Sequence, residues 1–582
     1  MGAHRRARAV EAKASSSPTR GWRIGLGIAV VALAALVYVN GLDNPFVYDD
    51  RDTVLLNPSL VDLHNLRFIL LYNLFRPAVN ISYALDRAVW GFTAFGFHVT
   101  NVALHAIVVG LFYAWCTRAL TDARSVDGLE EAAWPAFFAA AAYAVHPMMT
   151  EAAGYVSGRS EVLCAAGFLA SLIFARRAIL TSSRLSGAAS VGMGVLALAS
   201  KESAAALPIV LMAYDGWVLS RDEDSKGGFH RRLWRVYVPC LILIGAGALF
   251  RLRTLLSTDA AVSRGPIENL LTQAVVIWRY LLLLVVPVGQ TIMHRVRFAT
   301  TALDPVGLIA LAALIAVVFF AIRARHRMPL VAVGAVWFMA AIAPSSSIIS
   351  LREGMAEHRM YLASGGLFMA CAAALARPLS SRVSVRAAGA LVLAICALLT
   401  LQRNEVWADA TTLWEEAAVQ APDMWEPHYA YADSLREAQQ CDHAVVEYRR
   451  VIQLRPQHRD ALTNLGICLA QTGRPAEAEA ALNQALTIDP AWARGYTNLA
   501  ALAMTQGDHA RARDYYLKAI DRDPRNVLAR MQLAKLYESV FHDYHAAARM
   551  CGEARALAPA TSGVVECVER NRQLAAAHDG GR

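Results

Sequence analysis

A chain of 582 residues with 56% hydrophobic and only 18% charged residues is too apolar to be disordered and unlike a wholly soluble enzyme. Its net charge of +9 does not point to nucleic acid, because much of the arginine lies in short clusters beside apolar runs, where cytoplasmic loops of membrane proteins collect it. Nine cysteines include no CxxC pair, which argues against a zinc site or an iron–sulfur cluster, and Cys116, Cys164, Cys240, Cys371 and Cys396 read as packing residues of apolar segments.

In chain order, residues 1–23 are basic and read as a cytoplasmic tail and not as a signal peptide, since a long apolar run follows with no A-x-A site. Apolar stretches of membrane-crossing length then recur up to Gln402. They are Ile24–Val39, Phe97–Thr117, Ala133–Val145, Val162–Ile179, Ser190–Ala199, Ala204–Leu219, Trp234–Phe250, Leu270–Val288, Val306–Ile322, Leu330–Ala343, Leu362–Ala376 and Ala387–Leu401. Leu66–Trp90 is amphipathic and aromatic, and either lies along the membrane or crosses it. The positive-inside rule places Arg176, Arg177, Arg184, Arg221–Arg235, Arg323–Arg327 and Arg377–Arg386 inside, and residues 40–75 and everything after Leu401 outside. Counting from the two ends disagrees around 251–303, where one piece is re-entrant or interfacial.

Beyond residue 402 the pattern changes to a repeat. Pro422, Pro456, Pro490 and Pro524 stand 34 residues apart, and Ala444, Ala478 and Ala512 keep that period. Tyr431–Ala432, Leu465–Gly466, Leu499–Ala500 and Leu533–Ala534 recur in step, followed by Tyr448, Leu482 and Tyr516. This is the tetratricopeptide period, with small residues where two helices cross closely. About four repeats and a half unit are expected over 403–561, then a tail over 562–582. Spacing does not tell whether Cys441, Cys468, Cys551 and Cys567 pair.

Candidate chemistry lies at the edges of the apolar runs. Asp43, Asp49, Asp50 and Asp52 cluster just past the first run, flanked by Phe46, Val47, Tyr48, Val54, Leu55 and Leu56, which suggests a packed loop. Adjacent carboxylates raise each other's pKa, and one can then act as a general base toward a hydroxyl. His98, Asn101 and His105 share a helical face, where hydrogen-bonded packing is the ordinary reading and a two-histidine metal site the other. His146, Glu151, Arg159 and Glu161 follow one span, and Lys201–Glu202 interrupts two more, as pairs that can neutralise themselves. Arg279 sits inside an apolar run and needs an anion or a snorkelling route. Glu357, His358, Arg359 and Tyr361 precede a late span, and arginine suits a phosphate. No P-loop, GxSxG, HExxH or Rossmann glycine motif is present. An activated donor must therefore come from elsewhere, and a lipid-linked sugar phosphate fits.

The segments FVYDDRDTVLLNPSL, FRPAVNISYALDRAVWG with FGFHVTNVALHA, AVHPMMTEAAGYVSGRSEVL, LASKESAAALPIVLMAYD and AEHRMYLASGGL, in this order before the 34-residue repeats, resemble the transmembrane and tetratricopeptide repeat-containing O-mannosyltransferases. The resemblance implies an all-α chain: a polytopic GT-C-like bundle over 24–402 with about 11–13 spans, then a tetratricopeptide superhelix. It implies a glycosyltransferase moving a sugar, expected to be mannose, from a polyprenyl phosphate to Ser or Thr hydroxyls of envelope or secreted proteins, with the acceptor on the concave face of the repeats. Asp49 and Asp50 match the position of the catalytic base, and either one fits. Arg359, Arg159, Lys201 and Arg279 are candidates for the donor phosphate, with Arg51, His98, Asn101, His105, His146, Glu151, Glu161, Glu202, Glu357 and Tyr361 in support. The family reads Ala-Glu-Arg-x-Tyr where this chain has His358 between Glu357 and Arg359. No metal and no cofactor is expected. The implied location is the inner membrane, with the N-terminus cytoplasmic and the repeats outside. The competing readings are a non-catalytic anchored scaffold for envelope assembly and a lipid-linked polymer ligase or transporter.

Overall fold

The computed structural model describes residues 19–221, 223–242, 245–247, 264–347, 349–351, 353–559 and 561–580. Nearly all of the expected basic tail and part of the run Trp234–Phe250 lie outside them. The described residues are mostly helical, with no strand among them. They divide at Leu413/Trp414 into two compact units, a little past the composition change at Gln402.

Among the described residues of the first unit, six helices are long and apolar enough to cross a membrane: Gly21–Gly41, Ala94–Asp122, Val156–Thr181, Pro266–Val285, Pro305–Arg323 and Val383–Val406. This is a multi-pass membrane protein. Other expected spans form shorter helices, including Leu129–Val145, Arg184–Leu198, Leu207–Tyr214, Pro329–Ile342 and Met360–Ala374. The helices Pro305–Arg323 and Val383–Val406 keep Ile309, Ile315, Phe319, Phe320, Leu391, Val392 and Leu398 exposed, as lipid-facing surfaces do. The helix Ala94–Asp122 is central and buries Val108, Val109, Phe112, Trp115 and Leu120.

Lipid removes the hydrophobic drive for helix association, so contact rests on close packing of small residues. Pro329–Ile342 and Met360–Ala374 cross at Gly334 and Gly366, where a Cβ on Gly366 would come within 2.6 Å of the Gly334 carbonyl. The amphipathic stretch splits into Leu66–Tyr72 and Pro77–Trp90, of 7 and 14 residues, too short to cross. Leu70, Leu71, Leu74 and Phe75 remain exposed along it, which suits an interfacial segment. In the ambiguous region, both ends of Pro266–Val285 are tied to one segment. Asn269 donates to the carbonyls of Ser347 and Ile349 at 2.7 and 3.0 Å, and the Tyr280 hydroxyl to Ala356 at 2.7 Å.

In the second unit, helix hairpins repeat with the expected period. Trp425–Glu437 with Cys441–Leu454 and Arg459–Gln471 with Pro475–Ile488 are followed by Ala493–Thr505 with His509–Arg522 and Val527–Leu536 with Tyr544–Leu557. Ala432, Ala500, Ala534, Tyr448, Leu482 and Tyr516 are buried at the hairpin contacts. Helix starts are capped by Asp508, Asn526 and Asp543, each accepting from an N–H three residues on. Residues 562–580 form a helix against the last hairpin in place of a tail, and Cys551 and Cys567 are disulfide-bonded there. Cys441 and Cys468 are free.

Candidate active site

The acidic loop is anchored at both ends by asparagines. The Asn44 amide donates to the Asn404 carbonyl at 3.1 Å, and Asn57 donates to Asn80 at 2.9 Å while capping the turn at Ser59. Between them Tyr48 takes the left-handed conformation, φ 52°, which costs a tyrosine about 1–3 kcal/mol. Its hydroxyl donates to Glu353 at 2.7 Å and its ring lies against Tyr155. Past this turn the two neighbouring carboxylates differ in burial, Asp49 exposed and Asp50 buried.

Asp50 is fully buried. It accepts from the Ser157 N–H and hydroxyl at 2.8 and 2.7 Å and from the Val47 N–H at 3.3 Å. Burial, more than the neighbouring carboxylate, pushes its pKa up to about 7 against these hydrogen bonds. Asp49 is exposed, and its carboxylate makes no hydrogen bond among the described residues. Partial burial, then the charges of Glu353, Asp52 and Glu151, raise its pKa to about 6. Neighbouring charges thus act on Asp49 as the sequence suggested, but from distant segments as well as from its own loop.

Opposite this loop lies Glu357-His358-Arg359. Glu357 accepts from Gln290, the Thr291 N–H and His294 at 2.6, 3.1 and 2.8 Å. Burial alone would raise its carboxyl, but the His294 contact holds it below the usual range. His358 meets Glu151 twice, by its N–H at 3.1 Å and its ring Nδ1 at 2.6 Å. Burial and the Glu357 charge raise Glu151 to about 7, while burial and the Lys201 charge lower His358 to about 3, so the contact joins a neutral imidazole to a carboxyl. Arg359 is 7% exposed and donates from Nη2 to the Glu353 carbonyl at 3.0 Å. Its Nη1 is buried without a hydrogen-bond partner, and its Nη2 also lies 4.0 Å from the Glu353 carboxylate.

The other expected residues fall into supporting places. Arg159, fully buried, pairs with Asp86 at 2.5 Å and donates to Asn101 and the Phe97 carbonyl, so its guanidinium is already committed. Lys201 pairs with Glu161 and not with Glu202, which faces Arg76 at 3.8 Å. Arg279 is exposed and donates to the Arg295 carbonyl, the snorkelling alternative. Arg51 is exposed at the start of a short turn. His105 bonds the Tyr361 hydroxyl at 2.7 Å, and Asn101 the Tyr155 carbonyl at 2.8 Å. His98 is buried beside them. His146 accepts from the Met148 N–H and therefore donates to the Leu284 carbonyl, a structural role. Among the described residues no group of three or more His, Cys, Asp or Glu is placed to hold a metal. Glu353 and His294 lie outside the segments that carry the resemblance, and Tyr48 and Ser157, though inside them, have no chemical role legible from the sequence.

The tetratricopeptide-repeat family matches residues 429–491 and 493–526. The protein O-mannosyl-transferase TMTC1 of Homo sapiens is 25% identical over 534 residues, covering 78% of this chain and 58% of that one. TMTC2 of Mus musculus is 31% identical over 156 residues, covering 24% and 17%. Over most of its length the chain is similar to the TMTC1 proteins. It spans 58% of the length of human TMTC1 and 61% of the length of TMTC1 of Mus musculus. Among solved structures, MamA is 17% identical over 26% of this chain and 86% of its own, with a TM-score of 0.24.

Proposed function

We propose that the chain is a membrane protein O-mannosyltransferase that moves mannose from a polyprenyl phosphate to Ser or Thr hydroxyls, with Asp49 as the base. The relatives' names support the reaction class. What supports the residue assignment is that an exposed carboxylate, raised to about 6, and a buried arginine whose Nη1 has no hydrogen-bond partner both lie near Glu353. A base must reach its acceptor, and Asp49 is exposed where Asp50 is sealed behind Ser157.

In this reading Asp49 takes the proton of the acceptor hydroxyl as its oxygen bonds to the sugar C1 from the face opposite the lipid phosphate. The C1–O bond to phosphate breaks, its electron pair stays on the phosphate oxygen, and Arg359 holds the charge developing there. Asp50 fixes the loop, and Glu353 holds Tyr48. General-base help contributes about 10²–10⁴-fold. The positive-inside rule supports an orientation with the basic clusters inside and the acidic loop outside. The repeats bind the acceptor segment and raise its concentration near the loop.

Mass spectrometry of envelope proteins from cells with and without the chain tests this. Loss of hexose from Ser or Thr is expected on deletion, restored by the wild-type chain and not by Asp49→Asn. An unchanged glycan profile contradicts the proposal.

A further inference from the structure

The helix Val383–Val406 changes character at its end. Along most of it Leu391, Val392, Ile395 and Leu398 are exposed, as on a lipid-facing helix, but Thr400, Arg403, Asn404 and the capping residue Trp407 are buried. Polar side chains are costly in a bilayer and are kept where they meet protein. Here they meet the segments around the acidic loop. Thr400 donates to the Val145 carbonyl at 2.6 Å, and the Arg403 charge acts on Glu357.

Asn404 holds the start of the loop. Its amide donates to the Val37 carbonyl at 2.9 Å and to the Asn40 side-chain oxygen at 2.8 Å. In return Asn40 donates to the Leu401 carbonyl at 2.9 Å, and Asn44 to the Asn404 carbonyl at 3.1 Å. One helical turn is thus tied to residues 37–44, just ahead of Asp49.

Trp407, the next turn on, holds the loop from a second side. Its ring lies 5.0 Å from the Tyr155 ring, and both are buried. The Tyr155 hydroxyl accepts from the Asp49 N–H at 2.8 Å, and its ring stacks against Tyr48 at 6.4 Å. A left-handed tyrosine such as Tyr48 persists only where its neighbours hold it, and Tyr155, backed by Trp407, is one of them. The Asp49 carboxylate has no hydrogen bond of its own among the described residues, so its place is set through this backbone.

We infer that Asn404 and Trp407 are positioning residues for Asp49, acting through Asn40 and Asn44 on one side and through Tyr155 on the other. Misplacing a reacting group by about 1 Å costs up to about 10²-fold in rate, so a hold on the loop is a hold on turnover. The kinetic part rests on the transferase reading. The hold on the loop rests on the geometry alone, so either can fail without the other.

The test gives the full chain in proteoliposomes a synthetic polyprenyl-phosphate mannose and a Ser/Thr peptide, and follows hydrogen–deuterium exchange of the same preparations. Asn404→Ala and Trp407→Leu should each lower kcat about tenfold or more, keep the donor KM within about twofold, and speed amide exchange over residues 44–50. Trp407→Phe, which keeps a ring on Tyr155, should recover most of the loss. Leu398→Ala, on the exposed part of the same helix, should match the wild type. Unchanged exchange in both variants, or faster exchange with wild-type kcat, overturns the inference. If Asn404→Ala does not fold, the tryptophan series decides, and equal kcat in Trp407→Phe and Trp407→Leu overturns it. If the wild type transfers no mannose, the function proposed above fails, and exchange over residues 44–50 still decides whether Asn404 and Trp407 hold the loop.

Discussion

At the residue scale, burial separates two neighbouring aspartates that sequence alone leaves equivalent. Asp49→Asn should lower transfer at least 10²-fold, whereas Asp50→Asn should cost less, because one carbonyl oxygen still accepts from Ser157. Since Asp49 works as its anion and titrates at about 6, the rate should fall as pH drops through about 6, and a pH–rate profile of membranes supplied with donor reads this directly. Asp50 makes a separate prediction on stability. The folded chain holds its proton up to about pH 7, while an unfolded aspartate releases it near about 4. Its contribution is therefore complete below about pH 4 and is lost as pH rises through about 7. The thermal midpoint of the wild type should fall relative to Asp50→Asn between pH 5 and pH 8, and parallel curves would contradict the assignment. The aspartates were legible because they follow an apolar run. Glu353 was not, because it meets Tyr48 across 305 residues and sits in a loop with no periodicity.

At the element scale, the repeat was readable to the residue, since its period is set by helix geometry and recurs. Gly466 shows why: a Cβ there would meet Leu482 Cγ at 2.7 Å, whereas one on Gly552 meets nothing within 4 Å. Gly466→Ala should destabilise the array by about 1–3 kcal/mol and Gly552→Ala should not, as thermal denaturation of the full chain followed by circular dichroism can tell. The membrane spans were less legible, because apolar composition marks burial and lipid exposure alike, so short buried helices such as Met360–Ala374 look like spans. Ion pairing was misjudged at Lys201 because proximity in sequence does not decide who faces whom along a helix. Its true partner is Glu161, and both are buried. Removing one charge, as in Glu161→Ala, should cost roughly 3–5 kcal/mol of stability, and Glu161→Leu with Lys201→Met should recover most of it.

At the scale of the whole molecule, the first unit gathers carboxylates from distant segments around the acidic loop. Asp49, Glu151, Glu353 and Glu357 belong to segments more than 300 residues apart at their extremes, and apolar packing of the intervening helices brings them to one place. Among its described residues the tetratricopeptide unit carries no comparable buried cluster of charge, and its part in the account is binding. The most direct measurement is mannose transfer from a synthetic polyprenyl-phosphate mannose to a Ser/Thr peptide by the full chain in proteoliposomes. The account predicts turnover by the wild type and a loss of at least 10²-fold in a folded Asp49→Asn variant. Wild-type rates in that variant, or no transfer by the wild type, would contradict it.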